Sequence, residues 1–318
     1  MLKREISNRA EIVNKAIKEL LPVKKPEELY KAARHLINAG GKRLRPVISI
    51  LVAEALERDY RKILPAAVSI ETIHNFTLIH DDIMDRDDMR RGVPTVHRLY
   101  GEPTAILAGD TLFAEAFEII TKCDVEPKNL VRAVEKLADV CIKICEGQHM
   151  DMSFEERDSI TEDEYIKMVK LKTGVLIAAS SSLPAILFGE NDEIVQSLWN
   201  FGLVSGVGFQ IHDDLLDLIG KDIGKDWGSD LLKGKKTLIV VKAMEKGVKL
   251  ETFGKMHAKP EEIKRDIERL EECGAIDYAK KKAKEFVEIG KKELRVLPDS
   301  EAKNILLELA DYLVSREK

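Results

Sequence analysis

Ile194–His212, IVQSLWNFGLVSGVGFQIH, runs without a single charge and then meets Asp213-Asp214-Leu215-Leu216-Asp217. The run approaches the length of a membrane span. It nevertheless contains Gln196, Asn200, Gln210, Gly202, Gly206 and Gly208, so it reads as a buried helix of a soluble protein. Gly202 and Gly206 are spaced for close contact with another helix. Elsewhere apolar residues recur at intervals of three and four, as in Leu137, Val140, Cys141, Ile144 and Cys145, the period of a core-facing helix. The fold is therefore expected to be all-α, a helical bundle.

Composition agrees. Of 318 residues only 19 are Gly and 10 Pro, and 5% are aromatic, too little turn punctuation for a sandwich of short strands. With 44% apolar and 34% charged residues the chain is neither disordered nor short of a core. A net charge of −5 lacks the basic surplus of a phosphate-backbone binder, so nucleic acid is not expected as a partner. Four cysteines and an N-terminus opening Met1-Leu2-Lys3-Arg4 predict reduced thiols, no signal peptide, no transmembrane segment and a cytoplasmic location.

Breakers divide the chain. Pro26 opens a helix that Gly40-Gly41 ends, Pro46 opens the next, and Pro65 begins one running to about Asp85. Further helices are expected near 103–121, 128–150, 161–188 (interrupted at Thr173-Gly174 or at Pro184), 192–219, 235–246, 260–273, 275–295 and 299–316. No linker appears, so residues 1–318 read as one domain. The connections 86–102 and 220–234 are long for a bundle and read as functional.

Each long connection follows an aspartate cluster of pattern DDxxD: Asp81, Asp82 and Asp85, then Asp213, Asp214 and Asp217. Residues four apart share a helix face, pairing Asp81 with Asp85 and Asp213 with Asp217. Carboxylates at a helix C-terminus oppose the macrodipole and repel one another, at roughly 0.3–1 kcal/mol for each effect. A bound cation offsets that cost. All-oxygen ligands at this density suit Mg²⁺, which takes one or two carboxylates per ion and completes its octahedron with water and phosphate oxygens. Cys141, Cys145 and His149 are also four apart, but two cysteines on an apolar face read as ordinary core residues, and no fourth ligand has matching spacing.

Cations accompany the acids. Gly40-Gly41-Lys42-Arg43-Leu44-Arg45-Pro46 sets three between a helix end and a helix start, a ready anion site. Arg90-Arg91 follows the first cluster; Lys225, Lys235 and Lys236 follow the second. His74 and Thr77 share the Asp81–Asp85 stripe at about 100° per residue. Acid for metal and base for phosphate belong in one site.

With these residues assembled, the sequence resembles the trans-isoprenyl diphosphate (polyprenyl) synthase family from about residue 20 onward. The resemblance rests on GGKRLRP at 40–46, DDIMD at 81–85, RRGVPT at 90–95, GQHMD at 147–151, KTG at 172–174, GFQIHDDLLD at 208–217 and GKDWGSD at 224–230. It implies the class I isoprenoid synthase bundle around a central cavity and a homodimer. It also implies a Mg²⁺-dependent prenyltransferase that condenses isopentenyl diphosphate with allylic diphosphates by ionisation, condensation and elimination.

By that resemblance Lys42, Arg45, His74 and Arg91 hold isopentenyl diphosphate. Arg90, Lys172, Lys225 and Lys235 contact the allylic diphosphate, with Lys172, Thr173 and Gln210 beside the reacting carbons. Asp81, Asp85 and Asp213 are the principal ligands of several Mg²⁺ ions bridging that diphosphate. Asp82, Asp214 and Asp217 are weaker ligands or partners, and Gln148 and Asp151 support them. Ile239 stands where the family often has Pro. Phe76, five residues before Asp81, with Thr77 next to it, implies geranylgeranyl diphosphate as the product. The alternatives are a bifunctional farnesyl/geranylgeranyl synthase, a class I terpene cyclase and a non-catalytic regulatory subunit.

Overall fold

The apolar period becomes helix almost everywhere. The computed structural model describes residues 2–220, 227–255 and 257–316. In chain order the helices are α1 (Leu2–Leu20), α2 (Glu27–Asn38), α3 (Leu44–Ala55) and α4 (Leu64–Met84); a hairpin of β1 (Met89–Arg90) and β2 (Val93–Pro94); then α5 (Val96–Tyr100), α6 (Glu102–Ile120) and α7 (Pro127–Glu155). They continue as α8 (Glu162–Val169), α9 (Val175–Phe188), α10 (Asp192–Ile219), α11 (Ser229–Leu232), α12 (Leu238–Glu245), α13 (Pro260–Glu272), α14 (Ala275–Glu293) and α15 (Glu301–Leu313). The breaker pattern passes over α1, whose start carries no Pro or Gly, although Pro22 stands two residues past its end. Its buried face is Ile6, Val13, Ala16 and Ile17.

The chain forms two compact units. The first comprises Met1–Cys141, Ala179–Gln196 and Leu297–Leu306; the second comprises Ile142–Ala178, Ser197–Val296 and Leu307–Lys318. In the first, Val13, Leu36, Ile50, Val68, Ile79 and Leu112 belong to one buried core. α4 lies against α6 closely enough that a Cβ on Gly109 would fall 2.1 Å from His80 Nε2. In the second, a Cβ on Gly206 would meet the Gly174 Cα at 2.8 Å, and one on Gly208 the Ala283 carbonyl at 2.6 Å. The glycines of the uncharged run are thus the contact points of α10.

The interruption expected within 161–188 falls at Lys170–Gly174, a single π-helical turn between α8 and α9. Pro184 remains inside α9. It has no N–H to offer the Ser180 carbonyl one turn earlier, and that oxygen accepts instead from Ser49 Oγ at 2.8 Å. Glu162–Phe188 is long and apolar enough to cross a membrane, but 83% of its apolar window is buried inside the protein. Ile239 does not disturb the start of α12, because Thr237 caps it by accepting from the Val240 N–H. Cys141 is buried as expected; Cys145 is exposed, since four residues on a helix overshoot a full turn by about 40°.

Candidate active site

In the first unit α4 ends where the aspartates begin to crowd. Asp85 is the C-cap, Arg86 takes a left-handed φ of 56°, and the Asp87 N–H reaches the Asp82 carbonyl at 3.0 Å. This is a Schellman ending with a non-glycine at its left-handed position. Asp81 and Asp85 sit half-buried on the last turn, while Asp82 is wholly buried. Arg90 Nε donates to Asp82 Oδ1 at 2.5 Å, and Asp82 Oδ2 has no hydrogen-bond partner among the described residues. Burial pushes the Asp82 carboxyl up to about 6 despite Arg90.

The hairpin brings the arginines back toward α2. Arg91 (φ 54°) and Gly92 (φ 76°) form the two-residue turn between β1 and β2, and positive φ at both positions is what a type I′ turn requires. Arg91 Nη1 then donates to the carbonyls of Leu36 and Gly40 at the end of α2, the negative pole of that helix. Arg45, in the first turn of α3, places Nη1 3.3 Å from His74 Nε2 on α4. Lys42 is exposed on the same loop. Of the expected isopentenyl diphosphate group, Arg45, His74 and Arg91 therefore converge in this unit, while Lys42 is placed only by its position three residues before Arg45. Arg43 differs from its neighbours: it turns inward to Glu71, and both side chains are buried.

His74 is neutral here. An arginine only donates, so Nε2 is the acceptor and the proton sits on Nδ1. Burial, then Arg45, Arg91, Arg90 and Arg43, hold its pKa well below 6.5. The unfolded state then binds the extra proton below pH 6.5, so this histidine's contribution to stability is full above that pH and declines as pH falls. The His74 ring, followed by NMR, is expected to show no titration between pH 6 and 8; a midpoint in that range would contradict this environment.

The second unit holds the other cluster on the last turns of α10. Asp214 is buried, accepting from Tyr165 OH at 2.6 Å on one oxygen and from Gln210 Nε2 at 2.9 Å on the other. Gln210 Oε1 in turn accepts from Thr173 Oγ1 at 2.9 Å. The Asp214 bond orients the Gln210 amide, leaving its oxygen toward Thr173. Asp217 accepts from Ser229 Oγ and from the Asp230 N–H. Burial first, then the neighbouring Asp230, push both Asp214 and Asp217 up. Asp213 pairs with Arg316, whose guanidinium also lies 4.5 Å from the Phe209 ring.

A cavity in this unit is lined by Asp151, Lys172, Thr173, Gln210, Asp230 and Lys235, among others. Lys172 Nζ donates to Asp151 Oδ2 at 2.6 Å, and Lys235 pairs with Asp230 at 3.2 Å. The π turn lets Lys172 and Thr173, adjacent in sequence, reach Asp151 on α7 and Gln210 on α10. Gln148 is buried, and neither atom of its amide has a partner among the described residues. Lys225 lies outside the described residues.

A family model for polyprenyl synthetases matches residues 26–272. The chain belongs to the polyprenyl synthetase family. It is 63% identical, over the whole of both chains, to the geranylgeranyl pyrophosphate synthase of Geoglobus acetivorans. It is 48% identical to the geranylfarnesyl diphosphate synthase of Natronomonas pharaonis, with 98% of this chain and 96% of that one aligned. The crystal structure of geranylgeranyl pyrophosphate synthetase from Pyrococcus horikoshii superposes with a TM-score of 0.93 at 41% identity, covering 99% and 98% of the two chains. The fold is the all-α isoprenoid synthase bundle of this family.

Sequence reasoning passed over Tyr165, Asp230, Glu71 and Arg316. Tyr165 had a signal: it lies seven residues before Lys172, and a tyrosine on a buried stripe needs a partner for its hydroxyl. Arg316 had none, because its contact with Asp213 spans 103 residues.

Proposed function

We propose that the protein is a Mg²⁺-dependent prenyltransferase that adds isopentenyl diphosphate to an allylic diphosphate and yields mainly geranylgeranyl diphosphate. The observation that carries this is the pair of guanidiniums Arg45 and Arg91 gathered at neutral His74, beside the closed ion pair of Arg43 and Glu71. Burial lowers Arg45 to about 10, and its Nε has no partner among the described residues. Such a gathering of positive charge suits a diphosphate. Condensation requires a group for a second diphosphate substrate; a cyclase needs only one such group. The names of the relatives above agree with condensation.

The acidic residues fit Mg²⁺. Asp82 keeps an orphaned buried oxygen, and Asp82, Asp214 and Asp217 are all raised by burial, so these clusters are short of positive charge. Asp81, Asp85 and Asp213 would be the principal Mg²⁺ ligands; Asp82, Asp214 and Asp217 would support them. When bound, the metal neutralises negative charge on the leaving diphosphate. Arg90, Lys172, Lys225 and Lys235 would bind the same group. Thr173 and Gln210, oriented by Asp214, would line the reacting carbons. Lys42, Arg45, His74 and Arg91 would orient isopentenyl diphosphate.

Incubation with labelled isopentenyl diphosphate, farnesyl diphosphate and Mg²⁺ tests this. A labelled twenty-carbon diphosphate is the expected product; a cyclic hydrocarbon without label would overturn it. Chain length is assigned to Phe76, with small Thr77 beside it. The Phe76 ring packs 4.9 Å from His80 and 5.3 Å from Phe113, which holds it rigidly against α6. Phe76→Ala is expected to shift products beyond twenty carbons, and an unchanged chromatogram would remove Phe76 as the floor.

The whole chain would act as one polyprenyl synthetase domain, in the cytoplasm, as a homodimer. Ile106, Leu107 and Phe113 leave α6 with an exposed apolar face, suited to a second copy. Light scattering would give the mass.

A further inference from the structure

The buried ion pair beneath the isopentenyl diphosphate group has no part in the chemistry above. Arg43 is the N-cap of α3 and takes a left-handed φ of 51°, a conformation a non-glycine residue adopts only when its surroundings impose it. Every arm of its guanidinium is engaged. Nη1 donates to Glu71 Oε1 at 2.8 Å, Nη2 to the Ile37 carbonyl at 2.6 Å, and Nε to Asn14 Oδ1 at 3.0 Å. Glu71 Oε1 also lies 3.3 Å from Asn75 Nδ2.

These contacts tie four elements. α1 contributes Asn14, the end of α2 contributes Ile37, the start of α3 contributes Arg43, and α4 contributes Glu71. The groups expected to bind substrate hang from the same elements. Arg45 is two residues beyond Arg43, and His74 is one helical turn beyond Glu71. A Cβ on Gly41 would lie 3.3 Å from both Arg43 Nη1 and Arg91 Cζ, so the two guanidiniums flank the same glycine. The Gly40 carbonyl accepts from Arg91 Nη1 at 2.5 Å and lies 3.4 Å from Arg43 Nη1.

We propose that Arg43 and Glu71 are a positioning pair for isopentenyl diphosphate. They do not touch the substrate, but set the spacing of Arg45, His74 and Arg91 that binds its diphosphate. The inference rests on the reading of that group as the isopentenyl diphosphate site. Glu71 also lowers the repulsion among the three arginines in the empty protein, so they stay gathered until the substrate brings its own charge.

The test separates the two substrates. Arg43→Met and Glu71→Gln are each expected to raise KM for isopentenyl diphosphate about tenfold or more, the scale of one lost charged hydrogen bond. KM for farnesyl diphosphate should stay within about twofold. Either single change leaves a buried charge unpaired and could prevent folding, whereas removing both charges in a buried pair is often tolerated. Arg43→Met/Glu71→Leu is therefore measured beside them, with thermal melting to establish that it is folded. It is expected to keep the raised KM for isopentenyl diphosphate. A folded double variant with wild-type KM for that substrate would overturn the positioning role alone. A wild-type protein that incorporates no isopentenyl diphosphate would overturn the reading of the site, and this role with it.

Discussion

Asp81→Asn is expected to lower kcat by roughly three orders of magnitude, because a metal acting on a leaving group supplies several kcal/mol and each 1.36 kcal/mol is a factor of ten. Stability should move the other way or not at all. Asp81 lies on the last turn of α4, beside Asp82 and four residues from Asp85. Neutralising it relieves both repulsion and an unfavourable dipole contact, together roughly 0.5–1 kcal/mol. A catalyst that is crippled while melting no earlier than the wild type is the signature of a residue kept for binding a cation. The measurement is kcat at saturating Mg²⁺ and both substrates, alongside thermal melting. A variant within tenfold of wild-type kcat would show that Asp81 is no principal ligand.

Gly147→Ala is expected to damage activity through a single methyl group. The added Cβ would fall 2.3 Å from the Lys172 backbone nitrogen and 2.7 Å from the Leu171 carbonyl carbon. These are main-chain atoms, so no side chain can swing aside. Either α7 moves outward or the π turn shifts, at about 1–3 kcal/mol of overpacking. Both outcomes displace Lys172 from Asp151 and Thr173 from Gln210. A displacement near 1 Å is enough to cost about a hundredfold in rate when it misplaces reacting groups. Steady-state kcat and denaturant melting read the two effects separately. Gly147→Ala with wild-type kcat would mean that the π turn tolerates repositioning and that Lys172 and Thr173 are less constrained than their bonds indicate.

The periodic parts of the chain were legible in order. α10 occupies the 192–219 that its apolar run predicts, and α4 ends at the aspartates as the Pro65 start and the acidic cluster imply. What escaped were features without a local signal. α1 has Pro22 just past its end but nothing that marks its start. Connection 86–102 reads as a loop, yet it contains the hairpin and α5; the left-handed Arg91 at the turn is anchored to the Leu36 and Gly40 carbonyls, 55 and 51 residues away. By spacing alone the three cations of GGKRLRP look equivalent; the family resemblance leaves Arg43 out of the substrate group, and the fold supplies the reason. Arg43 points inward because Glu71, 28 residues away, is buried opposite it.

Sequence alone determined the helical class, the two DDxxD clusters on helix ends and the set of cations near them. Each of these follows from spacing along one helix or one turn, where 3.6 residues per turn leaves little choice of face. Which aspartates stay accessible was decided by tertiary structure. Asp82 and Asp214 occupy the same place in their motifs, and each is buried against a partner from another element, Arg90 of the following hairpin for one and Tyr165, 49 residues away, for the other. A carboxylate in a dry interior needs such a partner, and only the folded chain brings it there.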